Sequence, residues 1–378
     1  MSRRILAFLI AGVMWAQAPC PTPLPRSGEE AFIVVPDPQF EAKEEGTVNP
    51  AHTYFTHLTD SILANAAAYN ARNILWVGDI VDSNDATTCV SQPTWAPQEY
   101  AVALTNIQRL IAAGYIPMLV KGNHDECSTN WTNFISQIVG DDEPPYTGRP
   151  SWVYRIQRAS ESGNGTDRYQ TILYQTTLVG KPLLVIAHYH RSLGNTSAQV
   201  IANYTWAKAR KAEWLAANPG GHVWILTHEW FNYDGSYLSY IAPSASGNLS
   251  NGGNQWKNET DVEMLWSGHW DQYQGLAAKH FGFRPKIDTG TNHIRQVSID
   301  YQITSPETYT VWRITPSGQV DGCAYKAVTR NYSVYDEATH PTWAPLTRSQ
   351  GWQSSEWDWA SFRLPWGGLF PMPASVGR

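Results

Sequence analysis

Two short apolar runs, each breaking into an acid- and amide-bearing turn, constrain this chain more than any other feature. Leu75 to Asp82 reads LWVGDIVD, and Met118 to Asp125 reads MLVKGNHD. Apolar runs this short, rich in branched residues and closed by Gly, read as buried strands. Between them, Gln98 to Ala113 sets Val102, Leu104, Ile107, Leu110 and Ile111 at helical spacing, and Gly114 stops the helix. The unit is a strand–helix–strand crossover, so parallel strands are expected, with both turns at one sheet edge. Open α/β sheets carry their sites at the carboxyl ends of the strands. A carboxylate and an amide meeting there are hard oxygen donors, and His124 adds a titratable imidazole.

The same pattern recurs along the chain. Ala31 to Val35 is an apolar strand delivering Asp37 and Gln39. Phe55, Leu58, Ile62, Leu63 and Ala66 trace a helix over His52 to Asn70, followed by a strand over Ile74 to Val77. Thr129 to Val139 is a mixed segment, and Ser160 to Asp167 a hairpin loop. Leu183 to Ile186 is a strand that ends at His188 and His190. A helix over Trp206 to Ala217 is closed by Asn218-Pro219-Gly220-Gly221, and Val223 to Leu226 then runs into Thr227-His228-Glu229. Tyr233 to Lys257 is a long Gly/Ser/Asn-rich loop. Val262 to Trp266 leads to Gly268-His269-Trp270-Asp271, and Ile294 to Ile303 and Tyr309 to Ile314 are expected to close the fold as antiparallel strands. Five apolar runs thus stop at Asp37, Asp79, Asn123, His228 and His269. With strand ends sharing an edge, that recurrence signals a metal site.

Hydrophobic residues make up 42% of the 378 and charged residues 16%, a globular composition. The net charge of -6 leaves no basic footprint for nucleic acid. Arg3 and Arg4, the apolar run Ile5 to Trp15 and the small residues of Ala16-Gln17-Ala18 read as a signal peptide over residues 1–18. A secreted mature chain would begin near Pro19, and no later stretch is suited to span a membrane. Seven sequons, at Asn130, Asn164, Asn195, Asn203, Asn248, Asn258 and Asn331, agree with N-glycans on exposed loops. Four cysteines allow three pairings. Cys89 follows the Asp79 turn and Cys127 the His124 turn, so Cys89–Cys127 is expected, leaving Cys20–Cys323. Free buried thiols are the alternative, disfavoured outside the cell.

Asp37-x-Gln39, Gly78-Asp79-x-x-Asp82, Gly122-Asn123-His124-Asp125, Thr227-His228 and Gly268-His269-x-Asp271 together resemble the calcineurin-like metallophosphoesterases. The order and spacing of these motifs cover about Phe32 to Ile314. The resemblance implies an α/β four-layer sandwich, two mixed β-sheets flanked by helices, with two divalent metal ions. Carried over, Asp79 would bridge both metals, Asp37 would bind the first, and Asn123, His228 and His269 the second. His124 would be the general acid or transition-state stabiliser, oriented by Asp125. Two positions depart from the family's His: Gln39, which a secreted branch of the family also carries, and Asp271. The first metal would then see only oxygen, from Asp37, Gln39, Asp79 and Asp271. Oxygen donors favour Mg, Mn or Ca, and imidazoles suit Zn or Fe, so the first site should hold the harder ion.

The resemblance implies hydrolysis of a phosphate ester, small-molecule or glycan-linked. Two cations would neutralise the ester's anionic oxygens and lower the pKa of a water between them. The chain would be a metal-dependent phosphatase or, with the same site, a phosphodiesterase. A Trp-rich carbohydrate-binding protein with weak catalysis, its first metal site altered at Asp271, is the reading from another class. Among the remaining polar residues, Asp82 is expected to hold its turn and Glu229 to lie behind a ligand. His52 and His57 are expected at the surface. Lys121 is read as a phosphate contact or a solvated residue, and His188 and His190 as structural or surface groups, with a substrate contact as the alternative. Trp is used 18 times, and Trp343, Trp352, Trp357, Trp359 and Trp366 crowd the C-terminus. The catalytic domain is expected over 30–325, with 326–378 a Trp-rich extension packed on it.

Overall fold

The computed structural model describes residues 25–85, 87–143, 147–161, 168–189, 197–230, 256, 259–269, 282–287, 294–300, 308–326, 359–364 and 366. Its strands are β1 (Glu30–Val35), β2 (Ala71–Trp76), β3 (Ile116–Leu119), β4 (Val153–Ile156), β5 (Thr171–Leu178), β6 (Lys181–His188), β7 (His222–Leu226), β8 (Met264–Ser267), β9 (Gly282–Ile287), β10 (Arg295–Asp300), β11 (Thr308–Ile314), β12 (Gln319–Lys326) and β13 (Trp359–Arg363). Its α-helices are α1 (Gln39–Lys43), α2 (Tyr54–Ala64), α3 (Ala66–Tyr69), α4 (Thr88–Ser91), α5 (Trp95–Ala112), α6 (Ser128–Val139) and α7 (Ser197–Ala217).

The strands form two mixed sheets, in the orders β13-β12-β11-β1-β2-β3 and β4-β5-β6-β7-β8-β10-β9. In the first, β1, β2 and β3 are parallel, as the crossover through α5 requires. In the second, β6, β7 and β8 are parallel. Side chains along the second sheet alternate between two apolar layers. Leu183, Val185, Trp224, Leu226, Met264 and Trp266 join the core between the sheets, while Leu184, Ile186, Val223, Ile225 and Leu265 pack with Tyr204, Ala207 and Trp214 of α7. Burial on both faces is why these runs are apolar throughout and do not alternate with polar residues.

Phe32 marks where the sheets meet. Its ring lies edge-on to Trp224 at 5.1 Å and Trp266 at 5.3 Å, and stacks near Trp312 at 6.3 Å. The heavy use of Trp is thus largely a packing fact, since Trp76, Trp131, Trp214, Trp224, Trp230, Trp256, Trp266 and Trp312 are all fully buried. In the C-terminal segment, β13 pairs with β12 as an edge strand, so the first sheet continues past residue 325. Trp366 stacks on His222 at 4.3 Å and donates to Glu263 at 2.7 Å. Trp343, Trp352 and Trp357 lie outside the described residues, as does the Tyr233 to Lys257 loop apart from buried Trp256.

Several expectations change. The helix over His52 to Asn70 is two, because α2 ends at Asn65, whose Nδ2 donates to the Ser61 carbonyl at 2.8 Å. Thr129 to Val139 lies within α6, and α7 begins nine residues earlier than its Ala, Lys, Arg and Leu content suggested. Strand β10 runs antiparallel to β9 as expected but parallel to β8, and lies in a different sheet from β11. Cys89 and Cys127 form a disulfide across 38 residues, with Cα atoms 6.5 Å apart. Cys20 and the signal segment lie outside the described residues. Asn203 is 4% exposed on α7 and accepts from Gln157 at 3.0 Å, which argues against a glycan there. No helix among the described residues is long and apolar enough to cross a membrane.

Truncating Phe32→Ala opens a cavity among three indoles and is expected to cost about 3–5 kcal/mol. Guanidinium unfolding of the variant against the parent checks it.

Candidate metal centre

Each proposed ligand that the structure describes leaves the carboxyl end of a parallel strand. Asp37 follows β1, Asp79 follows β2, Asn123 follows β3, His228 follows β7 and His269 follows β8. The pairing of β7 with β8 continues into these turns, as Thr227 N donates to the Trp266 carbonyl at 2.9 Å and Gly268 N to the His228 carbonyl at 2.8 Å. Asp79, His228 and His269 bring ligand atoms within 4.8 Å of one another. Asp271 lies outside the described residues.

His228 is the hub. Its Nδ1 donates to the Val77 carbonyl at 2.7 Å and lies 3.3 Å from Asp37 Oδ1. A carbonyl only accepts, so the ring proton sits on Nδ1 and the Nε2 lone pair points inward. Nε2 there faces Asn123 Oδ1 at 3.0 Å and Asp79 Oδ2 at 3.1 Å. Three acceptors aimed at one another, all buried, require a cation between them, either a proton or a metal. Burial disfavours a charged His228, yet the charges of Asp79 and Asp37 outweigh it and raise its pKa well above the usual value. Burial likewise pushes Asp79 up, but His228, His124 and His269 hold it below the usual carboxylate range. Asp37 stays above that range because burial wins. Gln39 is 2% exposed at the start of α1, and its Oε1 has no hydrogen-bond partner among the described residues. These donors fit divalent ions, with oxygens at Asp37 and Gln39 and imidazoles at His228 and His269.

The main chain is distorted to hold this set. Asp37 has φ 28°, Asp79 φ 46° and His269 φ 49°, a left-handed region that non-Gly residues avoid except where the surroundings force it. Backbone amides then hold the carboxylates: His269 N donates to Asp37 at 2.9 Å and His124 N to Asp79 at 2.8 Å. Close approach needs glycine, since a Cβ on Gly268 would stand 2.5 Å from Asp37 Oδ1 and one on Gly122 would collide with Asp79.

His124 is held by Asp82, not by Asp125 as the resemblance implied. Its Nδ1 donates to the Asp82 carbonyl at 2.8 Å and lies 3.4 Å from Asp82 Oδ1. Burial works against a charged His124, but Asp79 and the Asp82 groups outweigh it and raise its pKa. Asp125 instead ties the two turns together, accepting from Gly122 N at 2.9 Å, Ile80 N at 3.2 Å and the Tyr100 hydroxyl at 2.9 Å. Burial, with the Asp79 charge, pushes Asp125 up to about 7. Nor does Asp82 hold its own turn: buried Glu99 on α5 does, accepting from Asp82 N, Ser83 N and the Ser83 hydroxyl at 2.6–2.9 Å. Glu99, Tyr100 and Lys43 escaped the sequence reading because they sit on helices, outside any motif.

The weaker candidates resolve by burial. Glu229 is 2% exposed with Oε1 3.8 Å from His269 Nε2. Lys121 is buried, donating to the Glu126 carbonyl at 3.2 Å and lying 5.2 Å from the Tyr189 ring centroid. His52 bonds Glu44 at 3.0 Å and His57 bonds Thr53 at 2.7 Å, so both are partnered. His188 is buried against Thr171 at 3.1 Å, and His190 lies outside the described residues.

Two outcomes follow. Gly268→Ala should weaken Mn²⁺ binding at least about tenfold in a calorimetric titration, with the circular dichroism spectrum retained. Burial holds His188 down at about 3, so it folds neutral, whereas the unfolded chain protonates it near 6.5. The stability from this neutral form is complete above that unfolded value and is lost as pH falls toward 3. The loss reaches roughly 2 kcal/mol by pH 5. His188→Gln should flatten the dependence of the melting temperature between pH 7.5 and 5.

A family model described as calcineurin-like phosphoesterase matches residues 51–273. None of the curated proteins compared with the chain matches it. Among solved structures, GAP50, the anchor in the inner membrane complex of Plasmodium, is similar at 11% identity and a TM-score of 0.42, covering 79% of this chain and 85% of that one. Purple acid phosphatase PPD1 from yellow lupin (Lupinus luteus) seeds is similar at 10% identity and a TM-score of 0.44, covering 79% of this chain and 52% of that one. The family match takes in the turns of Asp79, Asn123, His228 and His269 and spans more than half of the sequence, so the chain belongs to the calcineurin-like phosphoesterases, hydrolases of phosphate esters that bind divalent metal.

Proposed function

We propose that this chain hydrolyses a phosphate ester at a two-cation centre. Asp37, Gln39, Asp79 and Asp271 would hold the first ion, the harder of the two, and Asp79, Asn123, His228 and His269 the second. The observation that carries the reading is the inward-facing set of buried acceptors around His228 Nε2, which a cation satisfies. A bound pair of divalent ions supplies neutralisation of the phosphate oxygens and a water acidic enough to attack phosphorus. The residues of the chain do the rest. His124 is bonded through Nδ1 to Asp82, which leaves Nε2 as the ring nitrogen that serves the substrate. The Asp82 groups on Nδ1 favour a protonated ring, whose Nε2 proton can go to the departing oxygen or be held against developing charge.

The proposal includes export and glycosylation, supported by the signal-like residues 1–18, the sequons other than Asn203, and the Cys89–Cys127 disulfide. It also treats residues 326–378 as an extension of the catalytic unit, supported by the pairing of β13 with β12.

The test is hydrolysis of a chromogenic phosphate monoester and its matched diester. The protein is stripped of metal, then reloaded with Mn²⁺, Mg²⁺ or Zn²⁺. Turnover should require metal and be lost in Asp79→Asn, and the preferred ester defines the enzyme as phosphatase or phosphodiesterase. Inactivity with every ion, or activity indifferent to Asp79→Asn, would sink the proposal.

A further inference from the structure

Helix α1 opens at Gln39 and, one turn on, presents Lys43. Lys43 Nζ donates to Asp82 Oδ2 at 2.5 Å across 39 residues of chain. Both side chains are partly sheltered, 29% and 15% exposed. Burial acts against the Lys43 charge, but Asp82 and Glu99 outweigh it and raise its pKa, so the ammonium is retained. Asp82 is thereby gripped on two sides. Its backbone N–H donates to Glu99 at 2.9 Å, and Lys43 takes one carboxylate oxygen. The remaining oxygen, Oδ1, is the one lying 3.4 Å from His124 Nδ1.

We propose that Lys43 is a positioning residue for the reaction proposed above, on which this inference rests. By holding Asp82 Oδ2 it keeps Oδ1 beside His124 Nδ1, whose proton goes to the Asp82 carbonyl at 2.8 Å, and so steadies the residue that directs the His124 Nε2 proton. In that reaction the oxygen of a water bonds to phosphorus while the bond from phosphorus to the leaving oxygen breaks with its electron pair. The leaving oxygen takes the Nε2 proton of His124, and the proton lost by the water restores the ring. The demand for that proton depends on the leaving group. An alkoxide is a strong base and cannot depart without it, whereas a nitrophenoxide departs unprotonated. A residue that only packs α1 against the turn affects both esters alike, but one that aims the acid affects the alkyl ester selectively.

The experiment compares Lys43→Met, Lys43→Arg and Asp82→Asn with the parent, all loaded with Mn²⁺, on an alkyl and a nitrophenyl ester of whichever class the parent accepts. Lys43→Met and Asp82→Asn should lose about 10–100-fold in kcat on the alkyl ester and less than about threefold on the nitrophenyl ester. Lys43→Arg should restore most of the loss, and the Mn²⁺ dissociation constant should not change. Equal losses on both esters, no loss on either, or a weakened Mn²⁺ affinity in Lys43→Met would overturn the inference while leaving the phosphoesterase reading intact. A parent inactive on both esters would remove that reading, and this inference with it.

Discussion

One imidazole shared by two buried carboxylates is the interaction on which this structure turns. His228 touches both Asp37 and Asp79, and all three are almost without solvent. Two carboxylates brought together without water would repel each other and lose their hydration, a cost that an ordinary core never incurs. The surrounding chain offsets it with amides. The His269 and His124 N–H groups are turned onto Asp37 and Asp79, and left-handed backbone at Asp37, Asp79 and His269 is what turns them. Local strain, glycine contacts and charge placement are thus parts of one arrangement, which a divalent cation would complete.

Such an arrangement needs a stiff frame, because an imidazole from one sheet must meet carboxylates from the other. The interface between the sheets supplies it. Phe32 in β1 is wedged between Trp224 and Trp266 of the opposite sheet, and Trp266 in turn meets Trp312 edge-on at 4.8 Å. Asp37 leaves the same strand as Phe32, and His228 and His269 leave the strands of Trp224 and Trp266. Aromatic packing inside the sandwich therefore sets the separation of the ligands at its edge.

The sequence disclosed the strands and the polar residues at their ends because both are local. A strand buried on both faces is a short apolar run, and a ligand at its end is the next polar residue. Partnership across the fold was not legible. Asp125 adjoins His124 in sequence, but a short 3-10 turn over Asn123–Asp125 carries its carboxylate to the other side, onto the Gly122 and Ile80 amides. Asp82, 42 residues away, takes the histidine instead. Glu99 left no signature, since a single acid near the start of a helix usually faces water, and only the approach of α5 to the Asp79 turn makes it an acceptor for three donors. The start of α7 was hidden because Ser197, Val200, Asn203 and Thr205 are weaker helix formers than the Ala, Lys, Arg and Leu that follow.

The two departures from the family's histidines act differently on the proposed centre. Gln39 replaces one neutral donor by another, so it changes softness and not charge; its buried Oε1 trades an imidazole nitrogen for a hard oxygen. Asp271, as a ligand of that centre, would add a negative charge. Two divalent ions set against the carboxylates of Asp37 and Asp79 leave a strongly positive centre, and a third carboxylate lowers that excess. Coulomb attraction for a phosphate falls with it, and falls more for a dianion than for a monoanion. A phosphate monoester is largely dianionic near neutral pH and a diester is monoanionic. A carboxylate at residue 271 in the proposed centre would therefore remove part of the electrostatic advantage that a monoester would otherwise hold over a diester.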